Sequence, residues 1–426
     1  KSGAGATFWD SERAATRAAE RRAGPGWQNA AMSLSCRPDP SPAIAFVATS
    51  ARSLVECARR SACRPIAIDA FADLDTVRMA EHCTRVGGAD LRLDRGCLLA
   101  ALAALRGRGD VAGWVAGSGF EAQLDLLAEA AGVLPLLGNT PQTVRRVRTP
   151  VAFNAVLDAC AIAHPEIRLD APADPRGWLV KDAHACGGWH VRRAPGAMAG
   201  GDSRWPSPGR HFQRELAGAA LSCLFLAARG TATVVGHSRQ IVRAFGGRPF
   251  VYRGGIGPVA VSPAVAAELS RVAACLADAF GLVGLNGIDY LLDDTGQPWV
   301  LELNPRPTAA IQLFADAVAG GLMRAHLDAC AGHAPPQCLP PPAGLRGFET
   351  VFARRRGCID EAVAAWLLAH DGCRDIPRPG TRHAWGDPLC TVFATAATEA
   401  DVRAALAARR RAVRGVIESA VVPACP

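Results

Sequence analysis

Lysine is nearly missing from this chain. Of its 47 basic residues only Lys1 and Lys181 are lysine; the rest are arginine. A GC-rich coding bias accounts for arginine wherever either cation is tolerated. The one internal lysine therefore marks a place where a compact point charge serves and a planar guanidinium fork does not. Long apolar runs are also missing. The densest, Ala219 to Ala228, is interrupted by Ser222 and is far shorter than the ~20 residues of a membrane span, so no membrane protein is expected. The 15 cysteines contain no CxxC pair and no Cys/His cluster at zinc spacing, which argues against a structural zinc site. An odd, scattered set in a chain this long fits reduced thiols in a cytoplasm better than a secreted disulfide framework. The first residues lack the apolar core of a signal peptide. No GxGxxG follows the first strand-like run, so the dinucleotide fingerprint is absent.

What is present is a folded protein of several domains. A chain of 426 residues exceeds one compact core. Half of it is hydrophobic and 20% charged, which excludes wholesale disorder. Residues 1–41, rich in proline, glycine and arginine, read as a disordered tail, with Met32 as the expected natural start. From Ala43 the runs AIAFVATSA, SLVECARRS and RPIAIDAF read strand, helix, strand, a βαβ opening that implies a parallel sheet over 42–140. DVAGWVAGSGFE repeats the strand, and VLPLLGN closes the domain with another. A helix opened by Thr140-Pro141 leads into a lobe over 141–210, with a helix near 151–163 and the strand GWLVKDA. A larger lobe over 211–332 starts with the strand HFQREL. It contains a long amphipathic helix over 262–281, the hairpin GLNGIDYLLDDTGQPWVLELN and a helix from about Ala309 to Ala331. The proline-rich APPQCLPPPAG precedes a small β-rich module over 345–426. The fold class is therefore α/β and α+β.

The strongest chemical signal is Asp289, Glu302 and Asn304. Glu302 and Asn304 lie two apart on one strand and share a face. The DTGQ turn brings Asp289 of the first strand beside Glu302. Two carboxylates and an amide oxygen are hard ligands that suit Mg²⁺ bound with nucleotide phosphates. The neighbours Leu291, Leu292, Val300, Leu301 and Leu303 make these strands apolar, so acids among them are costly without a partner. Lys181 sits on a strand six residues before Gly187-Gly188, whose backbone N–H groups can approach phosphate oxygens with no Cβ in the way. Arg306 follows the metal-type residues directly and suits a carboxylate or an acyl phosphate. VYRGGIGP (251–258), with Tyr252, Arg253, Gly254 and Gly255, reads equally as an acceptor site or a plain turn.

The run NGIDYLLDDTGQPWVLELNPRP resembles the metal-binding hairpin of the ATP-grasp superfamily, an acid followed by E-x-N-P-R. The resemblance extends from about Ala43 to Ala331. It implies a Rossmann-like leading domain and two α+β lobes that clamp ATP. It further implies that Glu302 bridges two magnesium ions (manganese being a substitute), with Asp289 and Asn304 completing one each. Lys181 and the glycine loop would meet the phosphates, joined by Arg148 from the linker. QRELAG (213–218) is similar to the adenine hinge, with Gln213, Leu216 and Gly218 matching and Glu215 next door. Arg214 and Ala220 depart from it, standing where acids often hold the adenine amino group and the ribose. The wider layout, with GSGFE, GG-x-GP and E-x-N-P-R-P, looks like ATP-grasp carboligases related to biotin carboxylase, including those linked to tetrahydromethanopterin and methanofuran one-carbon pathways. No M-K-M biotin attachment sequence occurs.

The resemblance implies an ATP-dependent ligase that activates a carboxylate for attack by an amine, with Arg306 and Lys181 as catalytic residues. Its partners would be small molecules, without nucleic acid or membrane, and a homodimer is the one assembly considered. Two alternatives stand beside it. One is a nucleic-acid-binding or scaffold protein built on the net charge of +8 and the RRR runs at 354–356 and 409–411; those runs lack interleaved aromatics. The other is an ATP-binding protein that has lost catalysis, suggested by Arg214 and Ala220.

Overall fold

The computed structural model describes residues 41–88, 91–195 and 209–419. The expected tail up to residue 40, Met32 included, lies outside them, as does the end of the loop expected to run to Pro208. β1 (Ala43–Ala48), β2 (Arg64–Asp69), β3 (His82–Arg85) and β4 (Val111–Ala116) form a parallel sheet in the order β3-β2-β1-β4. Every residue of β1 is buried, as a parallel strand covered on both faces requires. Its crossovers run through α1 (Arg52–Arg60), α2 (Leu74–Met79), α3 (Arg95–Arg108) and α4 (Leu124–Val133). α2, β3 and α3 occupy a stretch in which the sequence suggested no element. The strand expected at 133–139 shrinks to a single bridge between Trp114 and Leu136.

α5 (Pro141–Val147) starts where Thr140 accepts a hydrogen bond from the Thr143 N–H at 3.1 Å and proline takes the first turn. After α6 (Pro150–Ala159) comes a small antiparallel sheet. It contains β5 (Ile167–Arg168), β6 (Trp178–Asp182), β7 (Arg192–Arg193) and β8 (Arg210–Arg214), ordered β5-β8-β6-β7. The long strands β9 (Ala219–Ala228), β10 (Thr231–Phe245) and β11 (Arg248–Gly257) follow. α7 (Pro263–Phe280) is capped by Ser262 and ended by Gly281 at φ 62°. β12 (Gly284–Leu292) and β13 (Pro298–Asn304) make the expected hairpin.

The helix expected over 309–331 is broken. A 3₁₀ turn spans Ala309–Leu313 and α8 starts only at Leu322. Between them Gly320 and Gly321 take φ of 79° and 95°, a left-handed course that ends any right-handed helix. VYRGGIGP is neither turn nor loop but the body of β11. A Cβ on Gly254 would lie 1.9 Å from the Phe348 carbonyl oxygen, so close strand approach explains that glycine.

The C-terminal residues form β14 (Leu345–Phe352), β15 (Gly357–Cys358), α9 (Glu361–Ala369), β16 (Cys373–Arg374), β17 (Arg382–His383), β18 (Pro388–Ala396) and α10 (Glu399–Ser419). β14, β18 and β16 extend the central sheet, whose order is β13-β12-β9-β10-β11-β14-β18-β16, while β15 and β17 pair with each other. The β-rich segment expected as a small module thus covers the β11 edge that would otherwise stand unpaired. It is also tied to the leading domain. Arg52, 2% exposed on α1, pairs with Asp375 at 3.0 Å. The Asp75 carboxylate of α2 accepts from the Asp375 and Ile376 N–H groups at 2.9 and 3.0 Å. The described residues form one compact unit. No helix among the described residues is long and apolar enough to cross a membrane, and the cysteines among them are free thiols.

His326 on α8 shows how the lobes are held. Its Nδ1 accepts from the Leu285 N–H at 2.8 Å, and its Nε2 lies 3.0 Å from the Leu137 carbonyl. Both bonds are made only by the neutral Nε2–H tautomer. Burial pushes His326 down to about 4. An unfolded histidine titrates near 6.5. The unfolded chain therefore takes the proton first as pH falls, and stability drops between about pH 6.5 and 4, by up to about 1.4 kcal/mol per unit from this residue. Denaturant melts across that range should show the slope. His326→Gln, which keeps one acceptor and one donor, should reduce it, leaving the part contributed by His190, His211 and His237, which burial also brings to about 4.

Candidate active site

The hairpin register sets Asp289 directly opposite Glu302 and Gly287 opposite Asn304. Residues 287 and 289, and 302 and 304, therefore share one face. The three side chains meet there: the Asn304 amide donates to Asp289 Oδ2 and to Glu302 Oε1, both at 3.3 Å. From β9, which flanks β12 on its other side, Ser222 Oγ donates to Asp289 Oδ1 at 2.5 Å and is itself bonded by Gln240 at 2.7 Å. Burial, and then the Glu302 charge beside it, hold the Asp289 carboxyl well above the usual range. Burial would raise Glu302 too, but Lys181 and Arg148 outweigh it and bring Glu302 to about 2. Two adjacent carboxylates in a desolvated site, with an amide oxygen alongside, fit a hard dication. Among the described residues no group of three or more His, Cys, Asp or Glu forms a cage, so the remaining ligands would be phosphate and water oxygens, as Mg²⁺ prefers.

Across the cleft stands Lys181 on β6. Register pairs Lys181 with His211 and Leu179 with Gln213, so Lys181, His211 and Gln213 share a face. Lys181 Nζ donates to Gln213 Oε1 at 3.0 Å. Desolvation lowers its pKa while Glu302 and Asp289 pull the other way. Arg148, at the end of α5, donates to the Ala185 carbonyl at 2.6 Å and leaves a buried Nε without a partner among the described residues. The glycine loop docks on β11. The Tyr252 N–H donates to the Gly187 carbonyl at 2.9 Å, and a Cβ on Gly188 would come 1.8 Å from the Phe250 oxygen. Gly188 is thus demanded by packing, whatever else the loop meets.

At the hinge, the Glu215 carboxylate pairs with Arg193 at 2.8 Å and its N–H bonds the Gly177 carbonyl at 2.9 Å. Leu216 and Gly218 line the cleft. Arg214 lines it too, with its guanidinium over the Trp178 ring, and Ala220 leaves no carboxylate at its place on the cleft wall. Arg306 is held by Glu121 from the leading domain, with Nε and Nη2 at 2.9 and 2.5 Å from one carboxylate oxygen. The other oxygen of Glu121 accepts the Gly119 N–H at 2.7 Å. The whole cleft encloses about 1850 Å³, more than the ~300–1,000 Å³ of an ordinary ligand pocket, and so has room for two substrates.

Sequence reasoning missed Glu121, His190, His211, Ser222 and Gln240. Glu121 sits inside the GSGFE run, which in the sequence is part of the wider layout with no role of its own. Cys186 and His190 pass in the sequence for incidental loop residues, yet both side chains feel the site. The Glu121 charge pushes the thiol of Cys186 up to about 12. Burial, helped by Lys181, brings His190 down to about 4, and its Nδ1 has no hydrogen-bond partner among the described residues.

Residues 152–310 match a family described as an ATP-grasp domain. No curated protein matches the chain. Among solved structures, biotin carboxylase from Campylobacter jejuni aligns over 84% of this chain and 89% of its own, at 12% identity and a TM-score of 0.62. An L-amino acid ligase from Bacillus licheniformis aligns over 88% and 98%, at 14% and 0.62. N5-carboxyaminoimidazole synthase from Aspergillus clavatus, solved with ADP and 5-aminoimidazole ribonucleotide, aligns over 89% and 99%, at 14% and 0.62. At such identities the likeness is one of fold. The chain has the ATP-grasp fold in the layout of biotin carboxylase-like structures, and the resemblance seen in the hairpin holds.

The carboxylate pair makes a testable demand. Asp289→Asn removes a like charge from a desolvated site, so the protein in EDTA should melt at or above the wild-type temperature, by up to about 1 kcal/mol. Any stabilisation that millimolar Mg²⁺ confers on the wild type should shrink in the variant, as read by thermal unfolding with and without the metal.

Proposed function

We propose that this protein is an ADP-forming, ATP-grasp carboxylate–amine ligase. The observation that carries the reading is the convergence of Asp289, Glu302 and Asn304 on one face, within electrostatic reach of Lys181 and Arg148. The similar structures include an amino acid ligase and a carboxylase, which supports ATP-dependent ligation in general. The amine acceptor is the finer step.

Asp289, Glu302 and Asn304 would hold two magnesium ions, with manganese as a substitute; magnesium there neutralises phosphate charge. Lys181 and Arg148 add positive charge on the phosphate side, and Gly187 and Gly188 close over it. Gln213 orients Lys181, while the backbone at Glu215 and Leu216 meets the adenine edge. Arg306, steadied by Glu121, presents its guanidinium to the substrate carboxylate. A carboxylate oxygen bonds to the γ-phosphorus as its bond to the β–γ bridging oxygen breaks, and ADP leaves. The amine nitrogen then bonds to the acyl carbon, the C–O bond to phosphate breaks, and the amine gives up a proton. Proximity and exclusion of water protect the acyl phosphate in between.

The test is a screen of carboxylic acids for Mg-ATP-dependent ADP release, with hydroxylamine to trap acyl phosphate as a hydroxamate. Trapping with one class of acid is the expected result; ADP release without any hydroxamate would overturn the acyl phosphate. Glu302→Gln should fold and lose at least about 10³-fold in turnover, because an amide cannot balance the cations. Lys181→Arg should melt within about 0.5 kcal/mol of wild type without ligand, yet lose most of its Mg-ATP-induced stabilisation, since the broad fork does not fit where the slim stem does. Unchanged ATP binding in that variant would remove Lys181 from the phosphate site.

A further inference from the structure

The two arginine runs that the cleft does not use, at 354–356 and 409–411, come together on the far side of the sheet. Tyr252 lines the cleft; the next residue of β11, Arg253, points to the opposite face. Glu349 stands opposite Gly254 on the neighbouring strand β14, while Thr350 lines the cleft; the β10–β11 pairing skips Arg253 in a bulge, which lets Arg253 and Gly254 both lie on the face of Glu349. α10 packs across β14 and β18 over this face. One turn apart on that helix are Arg410 and Arg414, on the side that buries Leu406, Val413 and Ile417.

The resulting charge is unbalanced. Arg410 donates to both oxygens of Glu349, which is 2% exposed. Arg253, 6% exposed, spends one nitrogen on the Ala244 carbonyl at 3.1 Å. Its guanidinium lies over the Phe245 and Phe352 rings at 5.3 and 5.9 Å. Arg354, exposed, stands at the rim and acts on Arg253, and Arg243 of the cleft wall acts on it too. Arg253, Arg410 and Arg414 therefore share one carboxylate, with Arg354 beside two of them. Arg253 Nε, Arg410 Nε, and Arg414 Nε and Nη2 are buried with no hydrogen-bond partner among the described residues. Buried charged donors are seldom left unpaired, because each forfeits its hydration. Burial, together with the neighbouring guanidiniums, lowers both Arg253 and Arg414.

We infer that this cluster is an oxyanion site, separate from the catalytic cleft, that takes a phosphate-class group between α10 and the β11–β14 edge. Planar guanidinium forks match phosphate oxygens two at a time. A doubly charged anion offsets the excess better than a single carboxylate. The site abuts the rings of Phe245 and Phe352, on which Trp189 of the glycine loop packs at 5.4 and 5.2 Å.

The experiment is calorimetric titration of the full chain with sodium orthophosphate at low ionic strength, against sodium chloride of equal ionic strength. Phenyl phosphate in a parallel arm separates a site for free phosphate from one open to an ester; binding of either supports the inference. Because the cleft also attracts phosphate, Lys181→Met serves as the background that weakens it. The expected result is phosphate binding of equal affinity in wild type and Lys181→Met. It should weaken at least about tenfold in Arg354→Gln/Arg414→Gln, since charge-assisted bonds to two guanidiniums are lost. Arg354→Gln alone, at an exposed position, gives the same comparison should the double variant not fold. No binding above the chloride control, or binding lost in Lys181→Met and kept in the arginine variants, would overturn the site.

Discussion

Two carboxylates side by side in a desolvated cleft form the constraint around which the rest of the molecule is arranged. Asp289 and Glu302 face each other across one hairpin, and their mutual repulsion is offset by Lys181 and Arg148 from other parts of the chain. Neither cation lies on the hairpin. Lys181 comes from the small sheet and Arg148 from the linker helix α5. The site thus exists only while the small sheet, the linker and the large sheet hold their mutual positions. Ser222 and Gln240 fix Asp289 from the neighbouring strands on the same face, so that carboxylate is aimed before any cation arrives.

The leading and C-terminal segments complete this frame. Glu121, from the loop after β4, reaches Arg306 two residues beyond Asn304. One ion pair thereby links the parallel sheet to the metal-type hairpin. Arg52 and Asp375 link the same parallel sheet to the C-terminal residues, and β14 and β18 continue the central sheet beyond β11. The C-terminal segment belongs to the structural core, and the cleft is walled by all three regions. The arginine cluster at α10 is a consequence of the same topology, because adding β14 beside β11 brings the run at 354–356 against the helix that carries the run at 409–411.

Much of this was legible in the sequence for local reasons. Asp289, Glu302 and Asn304 were readable because a hairpin with period two and a short turn leaves little freedom of register. Lys181 stood out because arginine fills nearly every other basic position. Caps at Thr140 and Ser262 and the stop at Gly281 set helix limits by bonding within a few residues. The helix over 309–331 was misread because alanine-rich composition hides what two left-handed glycines do to the backbone.

Tertiary structure alone decided the remainder. That Glu121 meets Arg306, that His190 and His211 flank Lys181, and that Gly254 and Gly188 exist for strand contact all depend on residues far apart in the chain. A strand's sequence states which side chains share a face, but not which sheet lies opposite. The sequence by itself therefore determined the acid hairpin and the lone lysine. Only folding determined the cleft between them, because burial and charge pairing arise from distances that no local pattern records.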